Sequence, residues 1–273
     1  MRAAFVRTLT GMMERDDRVV LLLADISVHA FRDAARRWPE RVINVGVSEA
    51  AAVGLAAGLA KSGFYPVIHS IAPFVTSRVH EFVRNDLAMH GLAAAVVSVG
   101  ASHDYSSLAA THYGPDDVAL MLAIPGVRCY VPGDAGEAGE LLTAARQRPG
   151  VAYIRLSETT HTGVWARAVA DEPLVIAIGS TMRYVPQGAS CIYVNDLSLL
   201  QRQVLAVWPE RVLVLEPFYE GTVTHLITDA LRGQRVEVRS VGVPRAWPGL
   251  QRRTDDACGL SVGNVRRVLE EMR

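Results

Sequence analysis

Asn44-Val-Gly-Val-Ser-Glu49, followed at once by the run Ala50 to Ala60, decides how this chain is read. A single acid stands where a short hydrophobic strand signal ends, and the segment after it holds only alanine, valine, glycine and leucine. Such a segment is too apolar and small-sided for a solvated surface helix. A carboxylate at its entrance is therefore a candidate for a buried, chemically active group. The position has a plainer use as well, because Ser48 or Glu49 can begin a helix by satisfying free backbone N–H groups at the favourable end of its dipole. The two uses are compatible.

Outward from Glu49, strand signals alternate with helical ones. Short β-branched runs at Val19–Ala24, Val42–Val45, Val67–Ile71, Ala93–Val99, Val127–Val131 and Val151–Leu156 are separated by longer helical segments. That alternation predicts a parallel sheet covered by helices on both faces. The signal weakens after about residue 160. Leu174–Ile178, Cys191–Val194, Val212–Leu215 and Val236–Val241 then supply strands of a smaller α/β unit. The expected division is a domain at 1–160, a linker at 161–172 and a second domain at 173–273. Between Gly179-Ser180 and Cys191 the chain is too short for an ordinary crossover helix, so that helix should be lost or reduced to a turn.

Half of the 273 residues are hydrophobic, and 28 basic side chains balance 28 acidic ones. This even charge gives no electrostatic reason to expect nucleic acid or an anionic membrane as partner; a small molecule or a protein is expected instead. No stretch approaches the apolar length of a membrane span, and Arg2, Arg7 and Glu14 stand where a secretory signal would need an apolar core. A cytoplasmic location is expected. Cys129, Cys191 and Cys258 are odd in number and far apart, which suggests neither a disulfide framework nor a zinc cluster.

The order of short motifs carries a resemblance. Arg2 is followed by Val19–Leu23 leading into Ala24-Asp25, by Arg41 before Asn44–Glu49, and by Gly54 and Gly58 in the apolar run. Gly63-Phe-Tyr-Pro66, Phe74-Val-Thr-Ser-Arg78, Thr111-His112, Asp117, Ile124-Pro125, Val131-Pro132 and Tyr153-Ile-Arg-Leu156 come next. This succession resembles the pyrimidine-binding domain of transketolases, relatives of the β subunits of 2-oxo acid dehydrogenases and of deoxyxylulose phosphate synthases. The match covers about the first 160 residues. The second unit resembles the transketolase C-terminal domain through the strand ending at Glu216 and the Gly221 after it.

The resemblance implies thiamine diphosphate and Mg2+ as cofactors. It implies that Glu49 bonds a pyrimidine ring nitrogen and favours the imino tautomer, that Phe74 stacks on the ring, and that Ile71 and Arg78 complete that side of the site. His112 would face the reacting end of a substrate, with His103 in the same loop. Arg2, Ser27 and Arg155 would match substrate contacts. Two departures point to an altered substrate: Leu108 stands where the family has a sugar-binding Asp, and Glu158 replaces an Arg that grips phosphate, which sets like charges against each other.

The family's metal-holding motif has one near match, Gly133-Asp134-Ala135-Gly136, read as a turn or helix cap, so no metal ligands are expected here. By this resemblance the chain is the β subunit of a two-component transketolase-like enzyme. An α subunit would carry the diphosphate and magnesium site, in a heterotetramer. The implied reaction is two-carbon ketol transfer from a ketose-like donor to an aldehyde-type acceptor. The alternatives are the β subunit of a 2-oxo acid dehydrogenase or decarboxylase, and a non-catalytic assembly subunit.

Overall fold

The apolar runs fold as strands within a residue or two of where the sequence puts them, except that the run expected at Val212–Leu215 continues to Tyr219. A computed structural model describes residues 1–161, 163–169, 171–247 and 254–273. The first sheet contains β1 (Val19–Leu23), β2 (Val42–Asn44), β3 (Tyr65–Ile71), β4 (Ala94–Val99), β5 (Arg128–Tyr130) and β6 (Val151–Arg155), in the order β2-β1-β3-β4-β6-β5. The second contains β7 (Leu174–Ile178), β8 (Cys191–Val194), β9 (Arg211–Tyr219) and β10 (Glu237–Val243), in the order β10-β9-β7-β8. Every named strand pair is parallel.

Parallel strands buried on both faces read as continuous apolar runs, and β1, Val-Val-Leu-Leu-Leu, is buried throughout. Its residues divide by the two-residue period of a strand. Val19, Leu21 and Leu23 meet Phe5, Leu9 and Met13 of the helix Arg2–Arg15, in one core layer with Ala138 and Leu142 of the helix Ala135–Arg146. Val20 and Leu22 belong to the opposite layer, with Ala52, Val53 and Ala56 of the helix Glu49–Lys61. Ala52 and Ala56 let the helix lie close to the sheet, whereas Gly54 and Gly58 stand on its exposed side with open space around them.

That second layer does not stop at the first sheet. It continues from Val131 and Tyr153 into Leu174, Ile176, Ile178, Val194 and Phe218 of the second. Backbone contacts cross the same join, with Val131 N–H donating to Asn195 O at 2.7 Å and Tyr219 N–H to Pro115 O at 3.0 Å. Gly179 has φ +54°, and a Cβ there would lie 2.6 Å from the Val131 carbonyl oxygen, so only glycine lets the end of β7 approach so closely.

The shortened crossover is as expected, a single 3-10 segment, Gly179–Tyr184, before β8. Thr162 and Ala170 of the expected linker, and residues 248–253 of the expected second domain, lie outside the described residues. The described part of the connection does structural duty. Arg167 and Cys191 exchange backbone hydrogen bonds of 2.9 and 2.8 Å, an antiparallel bridge on the outer side of β8. Cys129, Cys191 and Cys258 are all free and buried. Among the described residues, no helix is long and apolar enough to cross a membrane.

Candidate functional site

The carboxyl ends of β1, β2, β3, β4 and β6 open at one edge of the first sheet, where parallel α/β sheets place ligands. The Asn-x-Gly element there is a built turn. Asn44 Oδ1 accepts from the N–H groups of Asp25 at 3.0 Å and Gly46 at 3.2 Å, and its Nδ2 donates to Asp25 Oδ1 at 3.2 Å. Gly46 takes the left-handed φ of +70° that the reversal needs. Arg41 is tied to the Met13 and Asp16 carbonyls at 3.0 and 3.2 Å. Its role is to anchor β2.

This turn delivers Glu49 as the first residue of its helix. Ser48, the N-cap, makes no side-chain cap bond. Glu49 is only 3 % exposed, and its Oε2 accepts from Arg78 Nη1 at 2.9 Å. The Arg78 guanidinium also lies over the Phe74 ring, 4.0 Å from its centroid. Phe74 meets the His112 ring edge-on, at 5.1 Å between centroids and 67° between planes. Four expected residues, from the loops after β2, β3 and β4, thus form one continuous set of contacts.

Local bonds hold the set. Phe74 sits in the one-turn helix Ala72–Val75, braced by Thr76 Oγ1 donating to Ala72 O at 2.7 Å and Ser77 Oγ to Pro73 O at 2.8 Å. His112 Nδ1 is 2.9 Å from Thr111 Oγ1. Ile71, the other expected cofactor contact, belongs to the core cluster against which Phe74 packs.

The arrangement fits an aminopyrimidine. A flat, N–H-bearing cation already stacks on Phe74 and donates to Glu49, and these are the two contacts a pyrimidine ring needs.

A second cluster lies at the same sheet edge. Arg2, Asp104, Tyr105, Ser157 and Glu158 line a cavity of about 130 Å³ at the ends of β4 and β6. Asp104 accepts from Glu158 N–H at 2.9 Å, and burial pushes its pKa up to about 6. Arg2 and Tyr105 line the same cavity. Arg2 therefore shares its cavity with two acids.

Three expected substrate contacts are spent elsewhere. Ser27 is 5 % exposed, and its Oγ is 2.8 Å from His69 Nε2. His69 Nδ1 is 2.8 Å from the Val97 carbonyl and must donate to it, so Nε2 accepts the Ser27 proton. Burial drives the His69 pKa down to about 4, which keeps the ring neutral in this role. Arg155 is 1 % exposed; it donates to Asp117 Oδ2 at 2.7 Å, Ser102 Oγ at 2.7 Å and the Pro217 carbonyl at 2.9 Å. It joins the two sheets. His103 is also buried, its Nε2 2.8 Å from Asp255 Oδ1 of the second unit. Leu108, in the same loop, is exposed.

Sequence reasoning missed His69 and Asp255. A lone His in an apolar strand carries no signal that separates it from an ordinary core residue, and Asp255 reaches its partner only through tertiary folding. Asp134 caps the helix Ala135–Arg146 as expected, accepting from Glu137 N–H at 2.9 Å. With Glu137 and His161 it forms the one group of metal-ligand type among the described residues. Glu137 already accepts from Gly133 N–H and Tyr193 O–H, at 2.8 and 2.5 Å, so we assign no metal there.

The chain is 34 % identical over 263 residues to an uncharacterized 33.6 kDa protein in the fasciation locus of Rhodococcoides fascians, covering 90 % of this chain and 84 % of that protein. It is 33 % identical over 157 residues to a 6-deoxy-6-sulfo-D-fructose transketolase subunit of Clostridium sp. (strain MSTE9), covering 57 % of this chain and 49 % of the relative. A subunit of the apulose-4-phosphate transketolase of Phocaeicola vulgatus is 24 % identical over 271 residues, 89 % of this chain and 87 % of its own. A solved structure described as a split gene transketolase, inactive beta4 tetramer, superposes with a TM-score of 0.83 at 21 % identity, over 99 % of this chain and 96 % of that one. It shares the fold. Residues 1–164 match the family described as transketolase, pyrimidine binding domain, and so the chain belongs to the transketolase pyrimidine-binding family of thiamine-dependent enzymes.

Proposed function

We propose that this chain is the β subunit of a two-component transketolase-like enzyme and supplies the pyrimidine side of a thiamine diphosphate site. The observation that carries this reading is the bridging of the Glu49 carboxylate and the Phe74 face by one planar N–H donor. When bound, the cofactor supplies an electron sink for breaking a carbon–carbon bond beside a carbonyl. Glu49, buried at the start of its helix, would bond the pyrimidine ring nitrogen and hold the proton there. Phe74 fixes the plane of the ring. His112, with Nδ1 engaged by Thr111, has Nε2 left for a substrate oxygen.

The diphosphate and Mg2+ are assigned to a partner α subunit, because the residues here that resemble a metal motif serve as a helix cap and its neighbours. A heterotetramer follows from pairing two such half-sites. The reaction is two-carbon ketol transfer from a ketose-like donor to an aldehyde-type acceptor. Two relatives are named for anionic sugar derivatives, a sulfonate and a phosphate. Glu158 and Asp104 beside Arg2 argue that the donor used here carries less negative charge at its far end.

The test is calorimetric titration of thiamine diphosphate with Mg2+ into the chain alone and into the complex co-purified with its partner. Binding by the complex alone supports the divided site, whereas tight binding by the lone chain refutes it. A comparison of phosphorylated and free ketoses as donors tests the substrate claim, which fails if the phosphates are clearly preferred.

A further inference from the structure

The loop that carries His112 is held from the second sheet unit. It leaves β4 at Gly100, and Ser102 forms an antiparallel bridge with Gly114 that closes its base. The Ser102 hydroxyl donates to the Pro217 carbonyl, where Arg155 converges. Tyr113 packs in a small apolar cluster with Val243 and Cys258 of the second unit. His103 pairs with Asp255, and Asp255 Oδ2 accepts the Tyr184 hydroxyl. His103 Nδ1 is buried with no hydrogen-bond partner, so the ring keeps a second polar atom unspent at the inner side of the loop.

We propose that Asp255 is a positioning residue, which fixes the orientation and charge of His103 and, through the loop, sets His112 against the substrate. The second unit then shapes the site as well as completing the fold. Burial works against a charged His103, but the hydrogen bond to the Asp255 carboxylate and its charge outweigh burial and push the pKa up to about 9. Asp104 faces it from its own loop, and Arg183 acts on Asp255 from the segment after β7. His103 is thus an imidazolium at neutral pH, and its pairing with Asp255 is lost as pH rises through about 9.

This inference rests on the proposed function only in naming His112 as substrate-facing, and its test separates the two. In Asp255→Asn, which keeps size and a hydrogen-bond acceptor, NMR titration of the His103 ring in the isolated chain should show its pKa moved to lower pH. Hydrogen exchange across residues 101–113 should become faster. In the assembled complex, donor kcat/KM should fall roughly tenfold to a hundredfold, the basic limb of the pH profile should move acidward, and thiamine diphosphate affinity should stay the same. Asp255→Glu should restore the profile in part. If Asp255→Asn does not fold, Tyr184→Phe, which removes only the hydroxyl orienting Asp255, should shift the titration the same way by less. An unmoved titration overturns the proposal, as does a moved titration with unchanged exchange and unchanged donor kinetics. If the wild-type complex has no thiamine-dependent turnover, the proposed function fails, and titration and exchange still decide the role of Asp255.

Discussion

At Glu49 the chemistry and the local sequence agree, because burial comes from the Ala/Gly helix that it begins and the partner, Arg78, arrives with the next loop. Glu49→Gln should leave the fold intact and lower turnover of the assembled complex by about 10²–10⁴-fold, the usual cost of removing a positioned proton donor or acceptor. Unchanged turnover would move the assembly-subunit reading to first place. Glu216 makes a different residue-scale statement. It accepts from Gly221 N–H at 2.5 Å, Val223 N–H at 2.8 Å and the Ser240 hydroxyl, yet burial still pushes its pKa up to about 7. The folded state therefore binds this proton more tightly than the unfolded state, and stability falls as pH climbs from its ordinary 4.5 towards about 7. Asp104 contributes with the same sign. Denaturant curves across this window should be flatter for Glu216→Gln; an unaltered slope would show that Glu216 does not carry it. That Glu49, Phe74 and Arg78 come together was legible because each is placed by its own loop. Ser27, His103 and Arg155 were not, because their partners His69, Asp255 and Asp117 come from distant segments that turn a polar residue inward.

Among the elements, the strands were legible from β-branched runs, and the lost crossover from a simple shortage of residues between β7 and β8. The loop after β4 was not legible in detail, since its path depends on the second unit. It holds a strained residue: Ala109 has φ +66° and ψ −168°, a region that favours glycine. Ala109→Gly should relieve that strain and stabilise the fold by about 1 kcal/mol, read as a rise in Tm, offset in part by the greater freedom of glycine in the unfolded chain. A lower Tm would mean that the strain is not present. The opposite case is Gly179→Ala, which drives a methyl group against the Val131 carbonyl at the join of the sheets. It should cost a few kcal/mol, on the order of other substitutions at strained positions.

For the whole molecule, the ion pair of Arg155 and Asp117 matters most, because both are almost fully buried where the sheets meet. Removing one partner leaves the other charge uncompensated. Arg155→Met should therefore destabilise the chain by about 3–5 kcal/mol in denaturant unfolding, and adding Asp117→Asn should recover part of the loss. A loss below about 1 kcal/mol would contradict this account of the join. The same continuity of core predicts one cooperative unfolding transition for both sheets, which calorimetry can check by comparing measured and van't Hoff enthalpies. The short bridge between Arg167 and Cys191 has a consequence for life in a crowded solution. An open sheet margin is a template on which a second chain can grow, and here the protein's own connecting segment covers one end of the smaller sheet. A protease nick in that segment would thus free the Cys191 backbone groups at that margin for pairing with another chain.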